Sequence, residues 1–305
     1  MRNLKMSISV MVLFCLLTSA HAALEHPIIW ATKAENARIL DNIAKYSWAQ
    51  SLNASLHSHV DAKVQAHKSN PGGTLSGMPA LGGNMAGHNK LLTLGVESAI
   101  LFYLTDKDEY GQMSADIFSA YAKVLAPKTP QTAAISGYIM DDGRATVPQL
   151  SILYDFVQPF LARSGTKVYD KDSKSYGAVN MQTGQKAMLN AAGNIVQEFS
   201  GPDKHGIVSN HPVLTSAGAL YAILCIDNDT ERERLFKIFW ETGTKTTASF
   251  KNTLLPMLSS QGIWPESVSY SFQPNIILCL NVIDRIKPEM HVIADNMKAL
   301  KGCFI

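Results

Sequence analysis

The chain has 305 residues, of which 46% are hydrophobic, 8% aromatic and 17% charged. That apolar content, with 20 glycines and 13 prolines, excludes a disordered or collagen-like chain and is enough for one large core or two smaller ones. Lys and Arg number 27 against 25 Asp and Glu, and without Arg2 and Lys5 the balance is formally neutral, which disfavours a nucleic-acid binder.

Residues 1–22 read as a secretory signal. Arg2 and Lys5 precede a mostly apolar stretch from Met6 to Leu17, and Ala20-His21-Ala22 has small residues where a signal peptidase reads. Twelve residues fall short of the roughly 20 that a membrane span needs, so the expectation is cleavage before Ala23 and a periplasmic or secreted location. No later segment is long enough to cross a bilayer. The remaining cysteines, Cys225, Cys279 and Cys303, are odd in number and spaced for neither a disulfide scaffold nor a zinc site. Cys225 and Cys279 read as small buried hydrophobes, and neither a metal nor a cofactor is expected.

After the signal, helical periodicity dominates. Thr32-x-x-Glu35 is a capping-box pattern opening a helix through Ile39, Leu40 and Ile43. Trp48, Leu52, Leu56, Val60 and Val64 recur every four residues as an amphipathic stripe. Residues 69–87 hold six Gly and two Pro and read as a long loop. Further helices are expected at about 88–104, 109–125, 148–163, 184–199, 212–226, 230–242, 247–259 and 267–286. Period-2 strand blocks are lacking, which leaves room only for short strands inside loops. Long loops at 69–87, 126–146, 164–182, 200–211 and 260–266 separate the helices, and loops of that size often carry function. Without a strict repeat, the pattern predicts an all-α fold, an incomplete (α/α) toroid of paired antiparallel helices over 23–290, followed by an irregular tail at 291–305.

Three loop segments have chemical potential. Ser209-Asn210-His211-Pro212 ends a Gly-containing loop, with Pro212 suited to a first helical turn. On spacing alone Asn210 serves equally as a helix cap and His211 as an ordinary side chain. Gln261 to Phe272 carries Trp264, Glu266 and Tyr270; Glu266 and Tyr270 would share a helical face, and Trp264 with Phe272 could stack a sugar or anchor the core. Asp141-Asp142-Gly143-Arg144, followed by Gln149 and Tyr154, offers a guanidinium able to grip a carboxylate, or simply a solvated loop. His88, Asn89 and Lys90 follow the Gly-rich segment and are ambiguous.

Together these segments resemble the heparinase II/III-like polysaccharide lyases, a family that includes alginate and oligoalginate lyases. The Asn210-His211 pair opens a helix and Tyr270 follows 59 residues after His211. His26-Pro27 with its following helix, and Gly143-Arg144 leading to Tyr154-Asp155, are also similar. The resemblance implies a helical toroid followed by a β-sandwich, and β-elimination on a uronic-acid-containing acidic polysaccharide or oligosaccharide of the alginate or glycosaminoglycan type. It implies that Asn210 and His211 hold the uronate carboxylate and stabilise the enolate-like intermediate. Tyr270 would act as acid and, when ionised, as base, with His211 an alternative base. Arg144, Gln149, Glu266 and Trp264 are the implied substrate binders or orienting groups. The sequence ends at Ile305 with no space for a β-sandwich, so the expectation is a truncated form with impaired activity. Two alternatives stay open: a non-catalytic acidic-glycan-binding remnant, or a toroidal glycoside hydrolase using acids such as Asp141, Asp142 and Glu266.

Overall fold

The structure is a computed structural model that describes residues 24–201, 210–258 and 273–302. Its fold is all-α, with one small β-hairpin among the described residues. The first helices are α1 (Asn36–Lys45) and α2 (Ser47–Ser69), preceded by a turn in which Thr32 and Glu35 form the expected capping box. Next come α3 (Pro71–Leu75), α4 (Met85–Thr105) and α5 (Asp108–Leu125). A short α6 (Ile139–Asp141) widens into a π-helical turn at Asp142–Thr146 and continues as α7 (Val147–Leu161). Strands β1 (Lys167–Asp170) and β2 (Ser175–Ala178) pair antiparallel, with Tyr169 opposite Tyr176. The rest comprises α8 (Met181–Ile195), α9 (Asn210–Leu224), α10 (Asp229–Lys237), α11 (Leu255–Met257), α12 (Gln273–Ile286), α13 (Val292–Asp295) and α14 (Met297–Gly302).

Three departures from expectation have physical causes. Residues 69–87 are not all loop, because Pro71 suits a first helical position and the Asn70 side chain accepts from the Gly73 N–H, which caps α3. Helix α8 begins earlier than its apolar pattern suggests, since Asn180 accepts from the Thr183 N–H. The stripe on α2 is buried only in its second half. Val60 and Val64 are enclosed where α2 meets α4 and α5, whereas Trp48 and Leu52, where the helix pairs mainly with α1, are 62% and 64% exposed.

Side-chain contacts establish the helix directions. Helices α4 and α5 are antiparallel: the Ser98 hydroxyl donates to the Tyr110 carbonyl, the Ser114 hydroxyl to the Gly95 carbonyl, and His88 meets Tyr121. Helices α4 and α7 run parallel, since Gly95 meets Leu153 and, seven residues on in both, Phe102 meets Phe160 at a centroid distance of 5.4 Å; Tyr103 packs on Phe156 at 5.2 Å beside them. Helix α9 continues this row, since Gly143 meets its start and the Cys225 thiol just past its end donates to the Ser151 carbonyl. A second parallel row holds α2, α5 and α8: His67 pairs with Asp116 at 2.9 Å, and the Asn190 amide donates to the Leu125 carbonyl at 3.0 Å. The result is two rows of antiparallel hairpins around a continuous apolar core. Cys225 and Cys279 are buried free thiols within it, as their apolar surroundings predict.

One contact in the first row is unusually close. A methyl group built on Gly218 of α9 would overlap the Gly143 carbonyl oxygen, and one on Gly143 would overlap Thr215. Backbone therefore rests directly on backbone between the π-turn and α9. Replacing Gly218 with Ala should destabilise the fold by about 1–3 kcal/mol, the usual cost of overpacking, read as a lower urea midpoint at unchanged m-value. An unaltered midpoint would show that the two helices can part without penalty.

Candidate functional site

The loops preceding α4 and α6 gather at one end of the first row, toward which α9 also starts. Asn84, in the left-handed region, caps α4 by accepting from the Gly87 N–H at 3.0 Å. Just before it, the Gly82 N–H donates to the Ile135 carbonyl at 2.9 Å. Gly137 has φ 84°, and a methyl group there would sit 2.7 Å from the Gly82 carbonyl oxygen, so only glycine fits this crossing. The two loops are thus sewn together.

Asp142 anchors the second loop. Its buried carboxylate accepts from the N–H groups of Ile135 and Ser136 at 2.9 and 2.7 Å and from the Thr146 hydroxyl at 2.6 Å. This side chain therefore serves as scaffold; a buried carboxylate so surrounded is held by its donors and is poorly placed as a hydrolytic acid. His88 anchors the first loop. It is fully buried, with Nε2 at 3.2 Å from the Ala80 carbonyl and Nδ1 at 2.9 Å from the Tyr121 hydroxyl. The carbonyl requires a donor at Nε2, so Nδ1 accepts from Tyr121 in the neutral ring. Burial holds the His88 pKa below its ordinary value and pushes the Tyr121 phenol well above its own. His88 supports the site and does not line it.

With these anchors in place, Arg144 lies toward the end from which α9 starts, near His211, and Gln149 sits further along α7. Arg144 lies in the π-turn, exposed, its guanidinium donating to Asp141 at 2.7 Å across one helical turn. It is a held cation on a helical turn, where the sequence suggested an open loop. Gln149 occupies the first turn of α7, half-buried, and its Oε1 is buried without a hydrogen-bond partner among the described residues. His211 is exposed on the first turn of α9. Asn210 heads α9 in the backbone, but its side chain lies outside the described residues, as do Trp264, Glu266 and Tyr270. The signal segment at 1–22 and the last three residues of the tail also lie outside them. The helical run that begins at Ile139 and helices α4 and α9 all start toward this end, and the dipole at a helix start favours negative charge.

Tyr138, half exposed on the loop that Asp142 holds, had no signal in the amino-acid order. A lone aromatic between turn residues has no periodicity to betray it. Tyr154 and Asp155 carried the resemblance, but here they build the scaffold. Asp155 accepts from the Ile28 N–H at 2.9 Å and the Ile29 N–H at 2.9 Å, and its Oδ1 lies 2.6 Å from His26 Nδ1, which straps the N-terminal segment to α7. The buried Tyr154 hydroxyl accepts from Gln185 at 2.6 Å, and Gln185 also accepts from the Asp227 N–H at 2.7 Å. Among the described residues there is no group of three or more His, Cys, Asp or Glu placed to hold a metal, and no helix long and apolar enough to cross a membrane.

Comparison with known proteins adds a direct line of kinship. Residues 260–305 match the family model for the second domain of endo-acting ulvan lyase. The chain is also 41% identical over 312 aligned residues to an endo-acting ulvan lyase of Formosa agariphila. That alignment takes in 99% of this chain but 38% of the relative, so the chain spans well under half the length of the curated protein it matches. Both matches support a polysaccharide lyase family. Neither names the heparinase II/III-like group that the motifs resemble.

The state of His88 has a consequence for pH. Its folded-state pKa is depressed, so the stability it contributes is present above the ordinary value of 6.5 and is lost as pH falls through the folded-state value. The drop in urea midpoint between about pH 7 and about pH 5 should be smaller in His88→Gln than in the unmutated protein. Equal drops in the two proteins would exclude His88 as the group responsible.

Proposed function

We propose that this chain is the helical part of a polysaccharide lyase that cleaves ulvan by β-elimination, its helix rows curving into an incomplete toroid. The observation that carries this reading is the identity, along nearly the whole chain, with an endo-acting ulvan lyase. That three helical runs start toward the end that carries an anchored arginine supports it physically, because the substrate of such a reaction is an anion and becomes more negative as it reacts. The substrate class is narrowed from the alginate or glycosaminoglycan polymers that the motifs first suggested. Work on such a polymer suits a protein exported by the segment at residues 1–22.

The reaction removes the proton on C5 of a uronate and breaks the C4–O glycosidic bond. The electron pair left on C5 becomes the C4–C5 double bond, and the departing oxygen takes up a proton. A C5 proton beside a charged carboxylate is only weakly acidic, so the first requirement is to offset that charge. In this reading Asn210 and His211 donate hydrogen bonds to the carboxylate from the start of α9, where the helix dipole works in the same direction. Arg144 adds positive charge from the start of α7. Tyr270 removes the C5 proton as phenolate and protonates the leaving oxygen as phenol, a task that requires a nearby cation or imidazole to favour its ionised form. Trp264 stacks a sugar ring and Glu266 orients a neighbour.

Incubating the protein with ulvan should generate the ultraviolet absorbance of a 4,5-unsaturated uronate. Tyr270→Phe should reduce that signal by about 10²–10⁴-fold while calorimetric binding of ulvan oligosaccharides persists. Binding without any absorbance in the unmutated protein would favour the glycan-binding alternative, and a fully active Tyr270→Phe variant would remove the phenol from its role.

A further inference from the structure

We infer that Asn89, at the start of α4, is a substrate-positioning residue that reads sugar hydroxyls beside the anion site, with Gln149 as its partner on α7. The inference rests on the reading of this end of the molecule as a saccharide cleft.

Four side-chain amides have a buried carbonyl oxygen with no hydrogen-bond partner among the described residues: Asn89, Gln149, Asn190 and Asn194. Two of them are structural. The Asn190 NH2 group donates to the carbonyls of Leu125, Ala126 and Lys128, and that of Asn194 to the carbonyl of Pro130. Their NH2 groups pin loops, and the oxygen is left over. Asn89 and Gln149 differ, because no bond from either amide to another described residue offsets its buried, unpaired oxygen. A buried carbonyl oxygen left unpaired costs stability and is uncommon unless a ligand or water completes it.

Position strengthens the case. Tyr103 packs on Phe156 where α4 and α7 run parallel. Stepping back by sevens, Asn89 and Val96 fall on the Tyr103 stripe of α4, and Gln149 falls on the Phe156 stripe of α7. Both amides therefore lie on one seam, with Asn89 nearer the mouth, level with the π-turn that carries Arg144. The adjacent His88 is locked between Tyr121 and Ala80, which holds the backbone under Asn89.

The chemistry of the idle atoms selects the ligand group. A carboxylate or sulfate only accepts hydrogen bonds, so it would leave both carbonyl oxygens unpaired. A sugar hydroxyl donates and accepts, and rotation of an amide about its last torsion presents oxygen and nitrogen to it. The division of labour is then plain: Arg144 and the helix starts take the charge, and Asn89 and Gln149 take the neutral hydroxyls that place the ring.

The test is steady-state kinetics on ulvan, with calorimetric binding of ulvan oligosaccharides and thermal unfolding in parallel. Asn89→Ala should raise KM and weaken binding about 5–10-fold with kcat nearly unchanged. Asn89→Asp, which loses both N–H donors and repels an anionic polymer, should weaken binding further, and neither variant should lose thermal stability. Unchanged KM and affinity in both variants, or a loss that follows melting temperature, would overturn the role of Asn89 while the lyase reading stands. An unmutated protein that neither binds nor cleaves ulvan would overturn both.

Discussion

Backbone resting on backbone between Gly143 and α9 is the constraint on which the site depends. A side chain at either Gly143 or Gly218 would push α9 away from the π-turn. The Gly143 carbonyl meets Gly218 in the third turn of α9, and such widened turns recur at functional positions. The approach lies within the first three turns of α9, so it sets the π-turn that carries Arg144 beside the end from which α9 starts, near His211. Gln149 lies further along α7, near Ser151, which meets Cys225 past the far end of α9.

Buried polar groups order the long connections. Asp142 gathers two backbone N–H groups and a hydroxyl for the loop before α7. His88 ties the loop before α4 to α5, and Asp155 straps the N-terminal segment across α7. Each of these side chains is enclosed, so its hydrogen bonds act where solvent competes little and leaving one unmade would be costly. The contrast with Asn89 and Gln149 follows from the same rule. Polar groups that hold the fold have their partners inside the protein, and polar groups meant for a ligand remain open.

Much of the architecture was legible from the amino-acid order. Apolar periodicity identified α4, α5, α7 and α9 to within a few residues, and the end of α12, because a helix buried along one face must repeat its apolar side chains every three or four positions. The Thr32–Glu35 cap was legible, whereas the caps at Asn70 and Asn180 extend helices into stretches that composition alone marks as loop. The hairpin at Lys167–Ala178 was hidden because its strands are short, with a largely exposed surface and no alternation to read. At the site, Arg144, Gln149 and His211 were picked out as residue types suited to an anionic sugar, but nothing in their spacing said that the π-turn of Arg144 packs on α9 while Gln149 lies further along α7. Asp142 and His88, which looked equally chemical, proved to be anchors. A carboxylate or imidazole carries the same letter whether it faces a substrate or a ring of backbone amides.

The all-helical pairing and the residue types available for chemistry could be read along the chain, since both depend on local periodicity and side-chain character. Which polar groups are anchors and which are left without an internal partner, and that the π-turn packs on α9, emerged from helix packing alone. Whether a polar side chain is satisfied depends on neighbours tens or hundreds of residues away, as when His26 meets Asp155, and that proximity comes into being only when the helices pack.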